Sequence, residues 1–224
     1  MNKMLICAGA LSASLAFPAF GALISVDSVT GSWSGVVGGD EVIGQGSNEI
    51  RWGVPFPDST GPQSGYRFDG AAPAAFLATI DNEFTLGDFT HFNFPISGGI
   101  SSAVLGIDLQ ISIDGNPFGD ILSFDFTHDE TSNGGEAGCC NDIVGFDSMS
   151  TSDSFVLDGT AYTLNLSGFS VDGVLTENFS TIEGQSNVAQ LRGAFTAVSV
   201  PEPGTLALLG LGLVGLGASR RRKS

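Results

Sequence analysis

Two histidines occur in the 224 residues, and each stands in the same small frame. Thr90-His91-Phe92-Asn93 places an amide two residues after an imidazole, and Thr127-His128-Asp129-Glu130 places a carboxylate there. Side chains two apart on a strand share a face, so each pair would aim two donors in one direction. Brought side by side, two imidazoles with one or more carboxylates suit zinc, iron or another first-row ion, and the candidate ligands are His91, Asn93, His128, Asp129 and Glu130. The competing reading has each histidine bonded to backbone and neighbours, pinning a loop, since no H-E-x-x-H or H-x-x-E-H spacing occurs.

A hard ion is the other possibility. Asp125, Asp129, Glu130, Asn133 and Glu136 bring side-chain oxygen together in one short stretch, and Gly134-Gly135 permit the turn a calcium loop needs. The EF-hand order is absent, and a solvated acidic loop explains the same residues. Cys139 and Cys140 follow directly and form a disulfide candidate. Adjacent Cα atoms lie ~3.8 Å apart, below the ~4.4 Å at which disulfides usually begin, so a bridge between them would be strained and a bond to another chain is the rival.

For catalysis the absences weigh more. There is no G-x-S-x-G and no lysine between Ala22 and Ser199 to act as base or Schiff-base former. Carboxylates abound, but no spacing singles out a pair for glycoside hydrolysis. Trp33, Trp52, Tyr66 and Tyr162 make a thin platform for stacking on sugars. A non-enzymatic protein is the expectation; the alternative is a metal-dependent enzyme working through His91, His128 and Glu130, or a calcium-dependent binding module, acting on matrix polysaccharide.

The elements that must hold these groups read as strands. Leu105, Ile107, Leu109, Ile111 and Ile113 alternate with Gly106, Asp108, Gln110 and Ser112, the period of a strand with one buried face. Phe155 and Leu157 lead into Asp158-Gly159, and Tyr162, Leu164 and Leu166 leave it, which predicts a hairpin. Further strands are expected at 32–37, 83–94, 121–127, 143–146 and 190–198, and no long helical period is visible between them. Short strands with frequent glycine turns predict an all-β fold, an antiparallel jelly-roll-like β-sandwich, with a barrel as the alternative.

Both ends differ from this body. Lys3, the apolar stretch from Met4 to Phe17 and the small residues around Ala19 and Gly21 have the layout of a signal peptide over residues 1–21. The body, residues 22–199, then holds every acidic residue except Glu202, opposed only by Arg51, Arg67 and Arg192. So negative a surface excludes nucleic acid and anionic lipid as partners, because both require a basic face. In the last segment, residues 200–224, Leu206 to Ala218 carries no polar side chain and Arg220, Arg221, Arg222 and Lys223 follow. As a helix it reaches roughly 24 Å, short of the ~30 Å hydrocarbon core, with the basic cluster on the cytoplasmic side. Its "GLGLVG" matches G-x-G-x-x-G only on paper, since no strand precedes it and too few residues follow.

Pro201-Glu202-Pro203, the Gly/Leu-rich run and Arg220, Arg221 and Arg222 together resemble the PEP-CTERM sorting signal of Gram-negative, exopolysaccharide-producing bacteria. Two prolines hold the backbone extended and present one carboxylate between them. Within the body, "FTLGDFTHFNFPI" around Thr90-His91-Phe92-Asn93, "FTHDETSN" from Phe126 and "GSWSG" from Gly31 resemble the THxN family of PEP-CTERM proteins. The resemblance implies a β-rich exported protein, held at the inner membrane by its tail in transit and processed by exosortase. It would end at the cell surface, the outer membrane or a biofilm matrix of exopolysaccharide.

Overall fold

A computed structural model describes residues 23–72, 75–131, 141–146, 152–157 and 159–200. The signal-peptide segment, the sorting residues Pro201 to Arg222 with their hydrophobic helix, and Asn133, Glu136, Cys139 and Cys140 lie outside the described residues.

The described chain is all-β. Its strands in order are β1 (Ile24–Gly38), β2 (Glu49–Trp52), β3 (Val54–Pro55), β4 (Ser64–Gly70), β5 (Phe76–Ala78), β6 (Glu83–Asn93), β7 (Ile96–Ser97), β8 (Ile100–Ile113), β9 (Asn116–Asp129), β10 (Asp142–Phe146), β11 (Ser152–Leu157), β12 (Thr160–Val171), β13 (Val174–Thr176), β14 (Phe179–Thr181) and β15 (Gln185–Ser199). One sheet runs β14-β10-β9-β8-β1-β5, and a second runs β11-β12-β15-β6-β4-β2 with β13 attached to β12. β3 and β7 form a small ladder of their own. Pairing is antiparallel in every ladder.

Alternation explains the layering. On β8, Leu105, Ile107, Leu109, Ile111 and Ile113 are buried, as the period of two predicts, and on β9 the buried positions are Leu122, Phe124, Phe126 and His128. Side chains of both sheets meet in a shared aromatic core. Trp33 of β1 lies 5.2 Å from Tyr66 of β4 and 5.8 Å from Phe89 of β6, ring centre to ring centre, and Phe89 stacks on Phe126 of β9 at 5.5 Å. All four rings are fully buried, as is Trp52, so Trp33, Trp52 and Tyr66 of the thin aromatic platform weighed for sugar stacking are core. Tyr162 is buried too.

Where β1 crosses β4 the sheets come close enough to exclude side chains, and the neighbouring β4–β6 ladder is tight as well. A Cβ on Gly70 would run into the Val29 carbonyl oxygen, and one on Gly87, its partner across the β4–β6 ladder, into the Asp69 carbonyl oxygen and within 2.7 Å of the Phe68 ring. β1 and β15 extend beyond their sequence-predicted limits of 32–37 and 190–198, to Ile24–Gly38 and Gln185–Ser199. The sequence gives these strands no uniform alternation, because bulges shift the register between Val26 and Ser28 and between Leu191 and Arg192.

Candidate functional site

At one end of the core, the inner face of β6 carries Phe89, His91 and Asn93 in succession, and the first is apolar while the next two are not. All three are buried, with His91 and Asn93 fully enclosed. β9 delivers His128 from the opposite sheet, and the two imidazole centres stand 5.1 Å apart, nearly perpendicular. The pairing of the two Thr-His frames therefore holds in three dimensions, with Glu130 beside them: its Oε2 is 3.1 Å from His128 Nε2.

Asp129 does not join. It is exposed and lies opposite the exposed Ile143 of β10, because the two-residue period that turns His128 inward turns its neighbour outward. The same period divides the proposed calcium set: Asp125 and Asp129 share the outer face of β9, while Glu130 reaches inward toward His128. Among the described residues those carboxylates do not converge on a calcium loop.

Three residues that sequence reasoning passed over complete the site. Asp142, at the start of β10, is fully buried and faces Thr181 of β14 across the ladder. Its Oδ1 accepts bonds from the Thr131 amide at 2.8 Å and the Thr131 hydroxyl at 3.0 Å, leaving Oδ2 turned toward His128 Nε2, 3.8 Å away. Glu183 follows β14, and both its oxygens are buried without a hydrogen bond. A signal for Asp142 was present, since it lies two residues before the apolar Val144 of an expected strand; Thr181 lies two after Phe179 on β14, which is too short to show a period. No sequence period ties Glu183 to the histidines.

Hydrogen bonding engages one nitrogen of His91 and leaves the other without a partner. The Thr181 hydroxyl oxygen lies 3.2 Å from the Asp142 carbonyl oxygen. It lies 2.8 Å from His91 Nδ1 and accepts a bond from Asn93 Nδ2 at 3.3 Å. With the hydroxyl proton directed at the Asp142 carbonyl, Nδ1 carries the ring proton and Nε2 is a bare lone pair; with it directed at Nδ1, the ring proton sits on Nε2; in both cases Nε2 is buried with no partner. Asn93 Oδ1 is likewise buried and unpartnered, while its amide nitrogen holds the Thr181 carbonyl at 3.1 Å. His128 Nδ1 sits 2.6 Å from the Tyr66 hydroxyl. With the phenol as donor, Nε2–H donates to Glu130; with Nδ1–H as donor, Nε2 is a bare lone pair among carboxylates.

The electrostatics follow from burial. Desolvation, helped by His128, pushes His91 well below the usual histidine range, so it is neutral. Burial, and then the charges of Asp142 and Glu130, push the Tyr66 phenol well above its usual value. Asp142 is raised by burial; its Thr131 bonds and His128 oppose the rise and Glu130 adds to it. Glu183 is pushed to about 7 by burial and by its two acidic neighbours, Asp142 and Glu130. Trp52 covers the cluster, 5.5 Å from the His128 ring and 4.8 Å from Tyr66.

Nitrogen and oxygen atoms of His91, His128 and Asp142 lie within 4.8 Å of one another. In comparison with known proteins, residues 199–223 match the model of the PEP-CTERM protein-sorting motif. No curated protein matches the chain. The motif implies an exported protein sorted by exosortase in membrane transit.

Proposed function

We propose that this chain is a non-enzymatic protein of the cell surface or of an exopolysaccharide biofilm matrix, a PEP-CTERM protein of the THxN type. The match over residues 199–223 is the observation that carries the reading. In this reading residues 1–21 are the signal peptide, residues 22–199 a jelly-roll-like β-sandwich, and residues 200–224 the segment that anchors the chain until exosortase acts. Extracellular polysaccharide is the partner its surroundings would offer. The enclosure of the histidine pair supports a role without turnover: His91, Asn93 and Asp142 are fully buried, which leaves a polymer no approach to them.

Mass spectrometry of the protein recovered from the culture of its exopolysaccharide-producing host tests the sorting. The expected product begins at Ala22 and lacks the tail beyond Pro201-Glu202-Pro203. A chain that ends at Ser224 and stays in the inner membrane overturns it. Incubation of the folded protein with the host's own exopolysaccharide tests the absence of turnover: release of new reducing ends, lost in His91→Ala, would replace the non-enzymatic reading with the metal-dependent enzyme.

A further inference from the structure

We infer that His91, His128, Asp142 and Glu130 form a buried binding site for one divalent first-row transition ion, zinc foremost, held between the two sheets. The proposal stands independently of the sorting reading. It rests on where the polar atoms point. Buried donors and acceptors in native proteins are almost always paired, yet here His91 Nε2, Asp142 Oδ2, Glu130 Oε1 and both Glu183 oxygens are buried and unpaired in one neighbourhood. Three of the five belong to the proposed ligands and the other two to the neighbouring carboxylate of Glu183, and His91 Nε2 is a ligand atom for which the protein provides no hydrogen-bond partner.

The surroundings match what a metal-bound histidine requires. Ligating imidazoles use their other ring nitrogen to bond an outer group, which fixes the tautomer and the ring orientation. Thr181 does this for His91 and Tyr66 for His128. Thr131 performs the equivalent task for Asp142 by engaging only Oδ1. Gly99 makes room for the fourth ligand, since a Cβ there would stand 2.8 Å from Glu130 Cγ and 2.9 Å from Oε2.

Ligand type selects the ion. Two imidazoles with carboxylate oxygen suit zinc and its first-row neighbours, whereas calcium takes six to eight oxygens and gains nothing from nitrogen. Tetrahedral ligands at ~2.1 Å from zinc stand about 3.4 Å apart. The separations of up to 4.8 Å among His91, His128 and Asp142 would close by up to about 1.4 Å on binding. Two carboxylates with two neutral imidazoles neutralise the dication, and Glu183 lies outside that set. Because the ligands come from β6 in one sheet and from β9, the residue after it and β10 in the other, the ion would tie the sheets together.

The full-length chain, purified, stripped with a chelator and titrated separately with zinc(II), cobalt(II) and calcium(II), provides the test. The expected results are one zinc per chain by elemental analysis, cobalt visible bands of a site with nitrogen ligands, and a rise in Tm with zinc that calcium at equal ionic strength does not reproduce. Asp142→Asn and Thr181→Val are near-isosteric; each is expected to weaken zinc binding by about tenfold or more, as loss of a ligand or of its supporting partner does. Should either variant fail to fold, histidine 15N spectra of the wild type decide: zinc must shift Nε2 of both His91 and His128 and leave both Nδ1 protonated. A folded wild type that binds no stoichiometric zinc, that prefers calcium, or whose histidine spectra do not respond overturns the site, as does an Asp142→Asn variant that binds as tightly as wild type.

Discussion

At the scale of single residues, the buried polar groups divide into those whose partners are complete and those whose partners are not. Tyr66 belongs to the first kind through its 2.6 Å bond to His128. Tyr66→Phe removes that bond and strands a buried ring nitrogen, which costs about 1–3 kcal/mol, read as a lower urea midpoint with an unchanged slope. Asp27, half-buried at the β1 bulge, also has its partners in place: the Ser112 hydroxyl donates to it at 2.6 Å and the Ser25 hydroxyl at 2.8 Å. Those bonds, with that of Ser112 the larger influence, hold its carboxyl below the ordinary value of 3.8. A depressed carboxylate contributes stability that is present above its unfolded value and is lost as the pH falls through its folded one. Asp27→Asn is expected to flatten the pH dependence of the urea midpoint below pH about 4 and to leave that dependence unchanged near neutrality. Sequence alone showed half of the histidine cluster. The x-Thr-His-x-polar frames were visible because a two-residue period is local, but Asp142, Thr181 and Glu183 reach His91 only through pairings between segments dozens of residues apart. Asp129 was placed among the ligands by its nearness in sequence, and the alternation of the strand removes it.

At the scale of elements, glycine does most to decide how strands can cross. Gly70 and Gly87 face each other on β4 and β6, and Gly31 of β1 meets Phe68, where an added Cβ would fall 2.5 Å from Cδ1 and 3.0 Å from a Leu105 methyl. The obstruction at Gly70 is a backbone carbonyl, which cannot rotate aside as a side chain does. Gly70→Ala is therefore expected to cost at least about 1–3 kcal/mol, the usual range for overpacking. Gly61→Ala is the control, since its nearest neighbour would be Pro55 Cβ at 3.5 Å; there the change should stay within about 0.5 kcal/mol. Urea unfolding of the two variants side by side measures the difference. The strands themselves were legible wherever alternation is regular, as on β8 and along the β11–β12 hairpin. β2, β5, β13 and β14 were not, because at three or four residues each they are too short to display a period, and β4 was missed although Tyr66 and Phe68 alternate on it. Three of them, β2, β5 and β14, are sheet edges, and short edges are one way a β protein avoids pairing with other chains.

At the scale of the whole molecule, two sheets meet over one core whose composition changes from end to end. Phe76, Phe84 and Phe195 pack together in one part of the core and Phe118, Phe155 and Tyr162 in another, both apolar, while beyond Trp33 and Phe126 the filling becomes His91, His128, Asn93 and Asp142. Apolar packing needs no further component, but a polar end that repels itself through clustered carboxylates does. Binding an ion there would add RT ln(1 + [L]/Kd), ~2.7 kcal/mol at a hundredfold excess over Kd, and would add it only where opening the structure exposes the site. Hydrogen exchange gives that distribution. Chelation is expected to speed exchange at Thr90 to Asn93, along β10 and along β14, which carry or support the ligands. The amides of β8 from Leu105 to Leu109, enclosed between β1 and β9 in the apolar part of the sheet, are expected to exchange at the same rate with and without zinc. Uniform acceleration across β8 and β10 would mean that the metal affects only global unfolding. No acceleration anywhere would mean that the polar end is held by its hydrogen bonds alone, with Thr181 and Tyr66 fixing the histidines for structure and not for coordination.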